Sequence, residues 1–350
     1  MKKSKLLIAL VAGAMALTAS GVPVGTTPVH RPIIEEYTGT WCGWCIRGIV
    51  GMELLRETLG EDFIGVAYHN GDPMQIMNEY GYPNSIGGFP SAYLDRTYDV
   101  DAYYGFTSGT PGAIVDAVQQ LAAIETVGDL EVTAQWTSEE KTAISVDVSS
   151  FFSIDKDNAK YALEVMMAAD DLHGTASGWK QKNYYNGLSS YINDPRLGPW
   201  VTQPATVSGL HFNDVLVYTS FRISGSLPTT IVAYEDYDYN YTFKLSDLQR
   251  PNLAQQNKDN LRIVVLIVDT GTGKVVNANK CTISDYVPAI IPGDVNDNGS
   301  VNIDDITALI NHLLNNEVPV NEANADVDHD GKLGIGDVTT LINMLLTGAY

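Results

Sequence analysis

A chain of 350 residues with 45% apolar side chains can bury two or three packed cores. Its formal charge of −21 excludes the basic footprint of a nucleic-acid-binding protein and suits a solvated extracellular surface or cation-binding loops. At the N-terminus Lys2, Lys3 and Lys5 precede an apolar run from Leu6 to Leu17, and the small residues Ala19, Ser20 and Gly21 follow. That is the layout of a secretory signal peptide over residues 1–20. Losing its three lysines takes the charge from −21 to −24. No cysteine lies near the expected cleavage site, so a lipid anchor is not expected. No later stretch is long or apolar enough to span a bilayer. The expected location is therefore secreted, cell-surface or periplasmic.

Next comes an apolar strand ending near Tyr37, then Trp41-Cys42-Gly43-Trp44-Cys45, then a helix with Ile46, Val50, Leu54 and Leu55 on one face. A helix start favours thiolate over thiol, so Cys42 is expected as an exposed nucleophile and Cys45 as its buried resolving partner. Phe63 to Tyr68 reads as a second strand, and Gly87 to Leu94 as a turn, Pro90 and a third strand. Thr110 and Pro111 read as the N-cap and first residue of a closing helix. This order around a Trp-Cys-x-x-Cys run resembles thioredoxin. The resemblance implies that Pro90 is the cis-proline facing the disulfide and that Glu36 takes the place of the buried carboxylate assisting proton transfer. Gly43-Trp44 is not thioredoxin's Gly-Pro, so its reduction potential does not carry over. Two alternatives stay open for the cysteines. One is a structural disulfide, common in secreted proteins. The other is zinc, disfavoured because the sequence offers no second Cys-x-x-Cys or His pair. Cys281 reads as a small buried strand residue.

Residues 128–286 are β-rich. Leu130–Trp136, Ala143–Val148, Tyr161–Met166, Val215–Ile223, Tyr241–Leu245 and Leu261–Val268 alternate or run apolar between turn residues. An antiparallel sandwich is the expected outcome. Tyr184, Tyr185, Tyr234, Tyr237 and Tyr239 either line an aromatic platform for a sugar or protein or simply edge the sandwich. The cysteine run, Trp179 to Gly187, His211 to Leu216 and Gly271 to Ala278 together resemble the Omp28-related outer-membrane proteins of the Bacteroidetes, over roughly residues 30 to 283. That resemblance implies a secreted or surface protein and brings no settled reaction.

The last 58 residues carry ten acids against one base, Lys332, and repeat themselves at an offset of 32. Asp294, Asn296, Asn298, Gly299 and Asp305 lead into Ile306, Leu309, Ile310, Leu313 and Leu314. Asp326, Asp328, Asp330, Gly331 and Asp337 lead into Val338, Leu341, Ile342, Leu345 and Leu346. Side-chain oxygens at loop positions 1, 3, 5 and 12, with Gly at 6, are what Ca²⁺ needs from a twelve-residue loop. Ser300 and Lys332 stand at position 7, where the carbonyl ligates. Gly334 departs from the pattern at position 9, where a water often intervenes. Each loop opens an amphipathic helix. The proline-bearing stretch from Val287 to Pro292 leaves no room for an entering helix, and Asp305 and Asp337 replace the usual Glu. This pattern resembles a type I dockerin, which implies two Ca²⁺ ions and a cohesin-type partner. Ile303-Asp304 and Ile335-Gly336, in the first turn of each helix, would set partner choice.

The expected architecture is multidomain: signal peptide 1–20, an α/β thioredoxin-like domain 21–127, an antiparallel β-sandwich 128–286, linker 287–292 and a small α-helical dockerin 293–350 with paired calcium loops. Two functions follow. One is a docked thiol–disulfide oxidoreductase with a disulfide-bearing client protein. The other is a non-catalytic component of an extracellular polysaccharide-degrading assembly, its cysteines a staple; no carboxylate pair marks the chain itself as a glycosidase.

Overall fold

A computed structural model describes residues 26–107, 109–288, 290–315 and 320–348. The expected signal peptide lies outside them. The described residues form two compact units divided between Tyr286 and Val287.

In the larger unit β1 (Ile33–Thr38) is buried along its whole length, as befits a central strand of apolar and paired polar residues. Helix α1 (Ile46–Leu59) connects it to β2 (Ile64–His69), which runs parallel with Ile33 opposite Ile64. Strand β3 (Ser91–Leu94) lies antiparallel on the other side of β1, and β4 (Tyr98–Val100) pairs with β3. Helix α2 is Ile114–Ala122. It begins later than the expected start at Thr110 and Pro111, because Gly112 has φ +77°, outside the helical region, and Ala113 becomes the N-cap.

The remaining strands are β5 (Gly128–Trp136), β6 (Ala143–Phe152), β7 (Lys156–Asp157), β8 (Tyr161–Ala169), β9 (Gln181–Lys182), β10 (Thr206–Val207), β11 (Val215–Arg222), β12 (Thr230–Ile231), β13 (Asp236–Lys244), β14 (Leu261–Asp269) and β15 (Val275–Ser284). Short helices α3 (Gly198–Val201) and α4 (Pro251–Gln256) interrupt them. Eleven strands join in one sheet of order β13-β6-β5-β15-β14-β8-β11-β2-β1-β3-β4. The expected boundary between 127 and 128 therefore falls within a shared sheet, where Val215 of β11 pairs with Ala67 of β2. Edge strand β13 alternates polar residues with half-buried tyrosines, whereas β8 is buried at all nine positions. The acid within β8, Glu164, and Glu35 of β1 both pair with the buried Arg96 guanidinium at 2.9 Å.

The smaller unit holds α5 (Ile303–Asn315), α6 (Glu322–Ala325) and α7 (Ile335–Thr347) around a core of Val295, Leu309, Ala325, Val338 and Leu341. Helix α7 ends at Gly348, whose φ of +66° makes the left-handed cap that suits glycine.

Candidate functional site

Cys42 and Cys45 form a disulfide in the turn that leads from β1 into α1, with Cys45 as N-cap. Both are buried, Cys42 at 5% exposure and Cys45 at 0%. Cys42 is thus not the exposed group expected; the exposed residues of the turn are Trp41 and Trp44. A distant segment covers the turn: Gln181 Nε2 donates to the Cys42 carbonyl at 2.8 Å, the Lys182 amide to Thr40 O at 2.7 Å and the Tyr184 amide to Gly43 O at 3.2 Å. Trp44 meets Tyr184 and Tyr185 edge-on, with ring centroids 5.7 and 5.3 Å away. On the other side Trp41 meets Phe89 at 5.4 Å, and the Phe89–Pro90 peptide bond is cis.

Glu36 lies beneath α1. A Cβ built on Gly48 would stand 1.6 Å from Glu36 Oε1, so only glycine at that helical position leaves the carboxyl its place. Oε1 has no hydrogen-bond partner, and burial pushes the carboxyl up to about 7 against the opposing pull of His69 and Thr38, with Asp214 adding to the rise. A cavity of about 30 Å³ opens onto it, lined also by Thr38, His69, Gln181, His211 and Asp214. That space is large enough to hold a water molecule. His69 Nδ1 is held by Asp72 Oδ2 at 2.7 Å, and the same oxygen accepts from the Thr40 amide at 3.0 Å. His69, Asp72 and Gly48 carry no local motif, which is why the sequence did not mark them, and Gln181 fell within the marked stretch Trp179 to Gly187 without a role of its own.

Cys281 sits in β15 opposite Ile263, in a strand as expected but half-buried rather than fully buried, and desolvation pushes its thiol up to about 12. The tyrosines have different neighbours: Tyr184 and Tyr185 pack on Trp44, while Tyr237 packs near Phe152.

In the C-terminal unit the two loops fold alike. Gly299 and Gly331 take φ +82° and +79°, the sharp turn at position 6. Asp294 accepts from the amides of Asn298 and Gly299 at 3.0 and 2.7 Å, and Asp326 from those of Asp330 and Gly331 at 3.1 Å each. Asp305 caps its helix by accepting from Asn302 N–H at 2.8 Å, and Asp337 from Gly334 N–H at the same distance. Donor oxygens of Asp326, Asp328 and Asp330 lie within 4.8 Å of one another. Asp294, Asp305 and Asp337 are fully buried. In the second loop the half-buried Asp326 and the exposed Asp328 and Asp330 converge, and the Asp328 amide donates to buried Asp337, so carboxylate oxygens gather in a way that fits a hard cation.

A duplicated loop of this kind, each copy feeding a helix, is the layout of a calcium-binding docking module. Residues 292–346 match the type I dockerin domain, a calcium-binding family whose presence implies a cohesin partner and an extracellular setting. No curated protein matches the chain. Among solved structures, HBP35 of Porphyromonas gingivalis is similar at 12% identity and TM-score 0.51, over 75% of this chain and 79% of that one. This is a likeness of fold alone. A protein of Agrobacterium tumefaciens (13% identity, 75% of this chain, 99% of that one, TM-score 0.39) and a domain of the outer membrane lipoprotein Omp28 from Porphyromonas gingivalis (15%, 46%, 92%, 0.24) are structural neighbours too distant to carry an argument. Among the described residues no helix is long and apolar enough to cross a membrane.

Proposed function

We propose that this chain is an exported component that docks onto a cohesin through its C-terminal module and carries out thiol–disulfide exchange at Cys42 and Cys45. Export rests on the signal-peptide layout of residues 1–20. The sheet order β2-β1-β3-β4, with α1 and α2 following their strands, supports a thioredoxin-like reading of residues 21–127. Residues 128–286 form the β-rich body, in the sandwich reading, whose strands extend the same sheet.

One observation carries the exchange reading: a buried carboxyl, held near neutrality, lies beneath the helix that bears the disulfide. A mere staple has no need of a titratable group there. In the reductive direction the Cys42 thiolate attacks a client disulfide, forming a mixed disulfide and releasing one client thiolate. Glu36 accepts the Cys45 proton. The Cys45 thiolate then attacks Cys42 Sγ, closing the Cys42–Cys45 disulfide and releasing the second client thiolate. Pro90 borders the site on the client side. Because Cys42 is nearly buried, the client must displace part of the cover that Tyr184 and the tryptophans provide.

The dockerin takes two Ca²⁺ ions. Asp294, Asn296, Asn298 and Asp305 bind the first by side chain and Ser300 by its carbonyl. Asp326, Asp328, Asp330 and Asp337, with the Lys332 carbonyl, bind the second. Ile303 and Ile335, related by the repeat and 71% and 76% exposed, form the cohesin-facing positions.

The test is reduction of insulin disulfides. Cys42→Ser should abolish it, and Cys45→Ser should trap a covalent client adduct. Wild-type protein inactive across a wide range of redox buffers would instead establish the second reading, favoured by the burial of Cys42: a docked, non-catalytic component of a polysaccharide-degrading assembly with a structural disulfide.

A further inference from the structure

The loops that precede and follow the long excursion between β8 and β11 meet in an isolated antiparallel bridge. The Leu172 amide donates to Phe212 O at 2.9 Å, and the Phe212 amide to Leu172 O at 2.8 Å. Both side chains point into the core. Their sequence neighbours consequently face outward, and His173 is brought against His211 with ring centroids 4.5 Å apart. These two histidines are 38 residues apart in the chain, so the sequence shows no pair.

We propose that Asp171, His173 and His211 form a binding site for a zinc-class divalent cation. One donor atom from each residue lies within 4.8 Å of the others. Zinc holding such donors at its usual bond lengths places them roughly 3.3 Å apart in a tetrahedron, so the set closes by side-chain rotation of about an ångström each. Imidazole and carboxylate together suit zinc rather than calcium.

The surroundings pre-set the ligands. His173 Nδ1 lies 2.9 Å from the Asp171 backbone carbonyl, which only accepts. Nδ1 therefore carries the proton and Nε2 presents its lone pair, as in metal-bound histidines whose other ring nitrogen donates to a carbonyl. His211 Nδ1 is 2.5 Å from Asp171 Oδ1, so acid and imidazole already share one locus. Gln256 fixes the His173 backbone from both sides, accepting from its N–H and donating to its carbonyl at 2.9 Å each. Asp171 is held at φ +63°, its amide bonded to Asn213 Oδ1 at 2.9 Å. The ion takes Nε2 of His173, an imidazole nitrogen of His211 and a carboxylate oxygen of Asp171. Because both imidazoles are exposed, the fourth position goes to solvent or to a partner's donor.

The experiment is calorimetric titration of Zn²⁺ into the full, disulfide-oxidised chain under saturating Ca²⁺, so that neither the cysteine pair nor the calcium loops compete. Wild type should bind one equivalent whose affinity falls at least about tenfold in His173→Gln and in His211→Gln. Stoichiometry and affinity unchanged in the double variant would overturn the site. X-ray absorption of the zinc-loaded wild type supplies a measurement independent of variant folding: imidazole scattering from two histidines supports the assignment, and its absence refutes it.

Discussion

Glu36 is a residue whose chemistry is set by what is missing around it. Its Oε1 has no partner, and burial lifts the carboxyl from 4.5 to about 7. Between those values the folded protein keeps a proton that the unfolded chain has released. The stability contributed by the neutral form is therefore complete below pH 4.5 and is lost as pH rises through 7. At about 1.4 kcal/mol per pH unit the loss amounts to roughly 3 kcal/mol. Glu36→Gln has no such proton to lose. Urea denaturation of the oxidised protein should show the variant gaining about 2 to 3 kcal/mol on wild type between pH 5 and pH 8; a difference that stays flat would show that Glu36 does not titrate as a buried acid. Arg96 is a contrasting case, because its charge is paired with Glu35 and Glu164. Arg96→Ala would strand two buried carboxylates and should cost about 3 to 5 kcal/mol in the same assay at pH 7.

At the scale of elements, helix α1 fits over β1 only because Gly48 gives way to Glu36. An Ala in a helix normally gains about 0.5 to 1 kcal/mol over Gly. Here the added methyl collides with Glu36 Oε1, Cδ and Cγ, so Gly48→Ala should cost about 1 to 3 kcal/mol. In a Glu36→Ala background all three contacts vanish and the same change should become neutral or stabilising; a cycle with additive free energies would disprove the coupling. Such a dependence is invisible in sequence, whereas neighbouring features were legible. The paired loops could be read because the acids and the glycine of each lie within twelve consecutive residues. The starts of β2 and β3 and the cysteine turn were read from local apolar runs and Pro90. Three features were hidden for a common reason. The Gln181 bond to Cys42 spans 139 residues, the His173–His211 pair forms only through the Leu172–Phe212 bridge, and β11 reaches β2 across a whole sheet of intervening chain. The late start of α2 has a different origin, since the backbone angle of Gly112 is chosen by packing rather than by the Thr-Pro signal before it.

For the whole molecule the question is what calcium holds together. Residues 293–350 carry ten acids and one lysine, and Asp294, Asp305 and Asp337 are buried beside the loops they close. Converging carboxylates repel until a cation joins them, so binding energy becomes folding energy for this unit. A ligand at a thousand times its dissociation constant contributes about 4 kcal/mol, comparable to the whole stability of so small a core. Chelation with EGTA should thus remove the far-UV ellipticity of two thirteen-residue helices, α5 and α7. All five tryptophans, Trp41, Trp44, Trp136, Trp179 and Trp200, belong to the larger unit, which has its own core. Near-UV dichroism of the full chain should accordingly stay unchanged while the signal at 222 nm falls, and both should be restored or retained on adding Ca²⁺ back. A helix signal indifferent to EGTA would mean that the C-terminal unit folds without metal and that its buried acids are neutralised by some means other than cation binding.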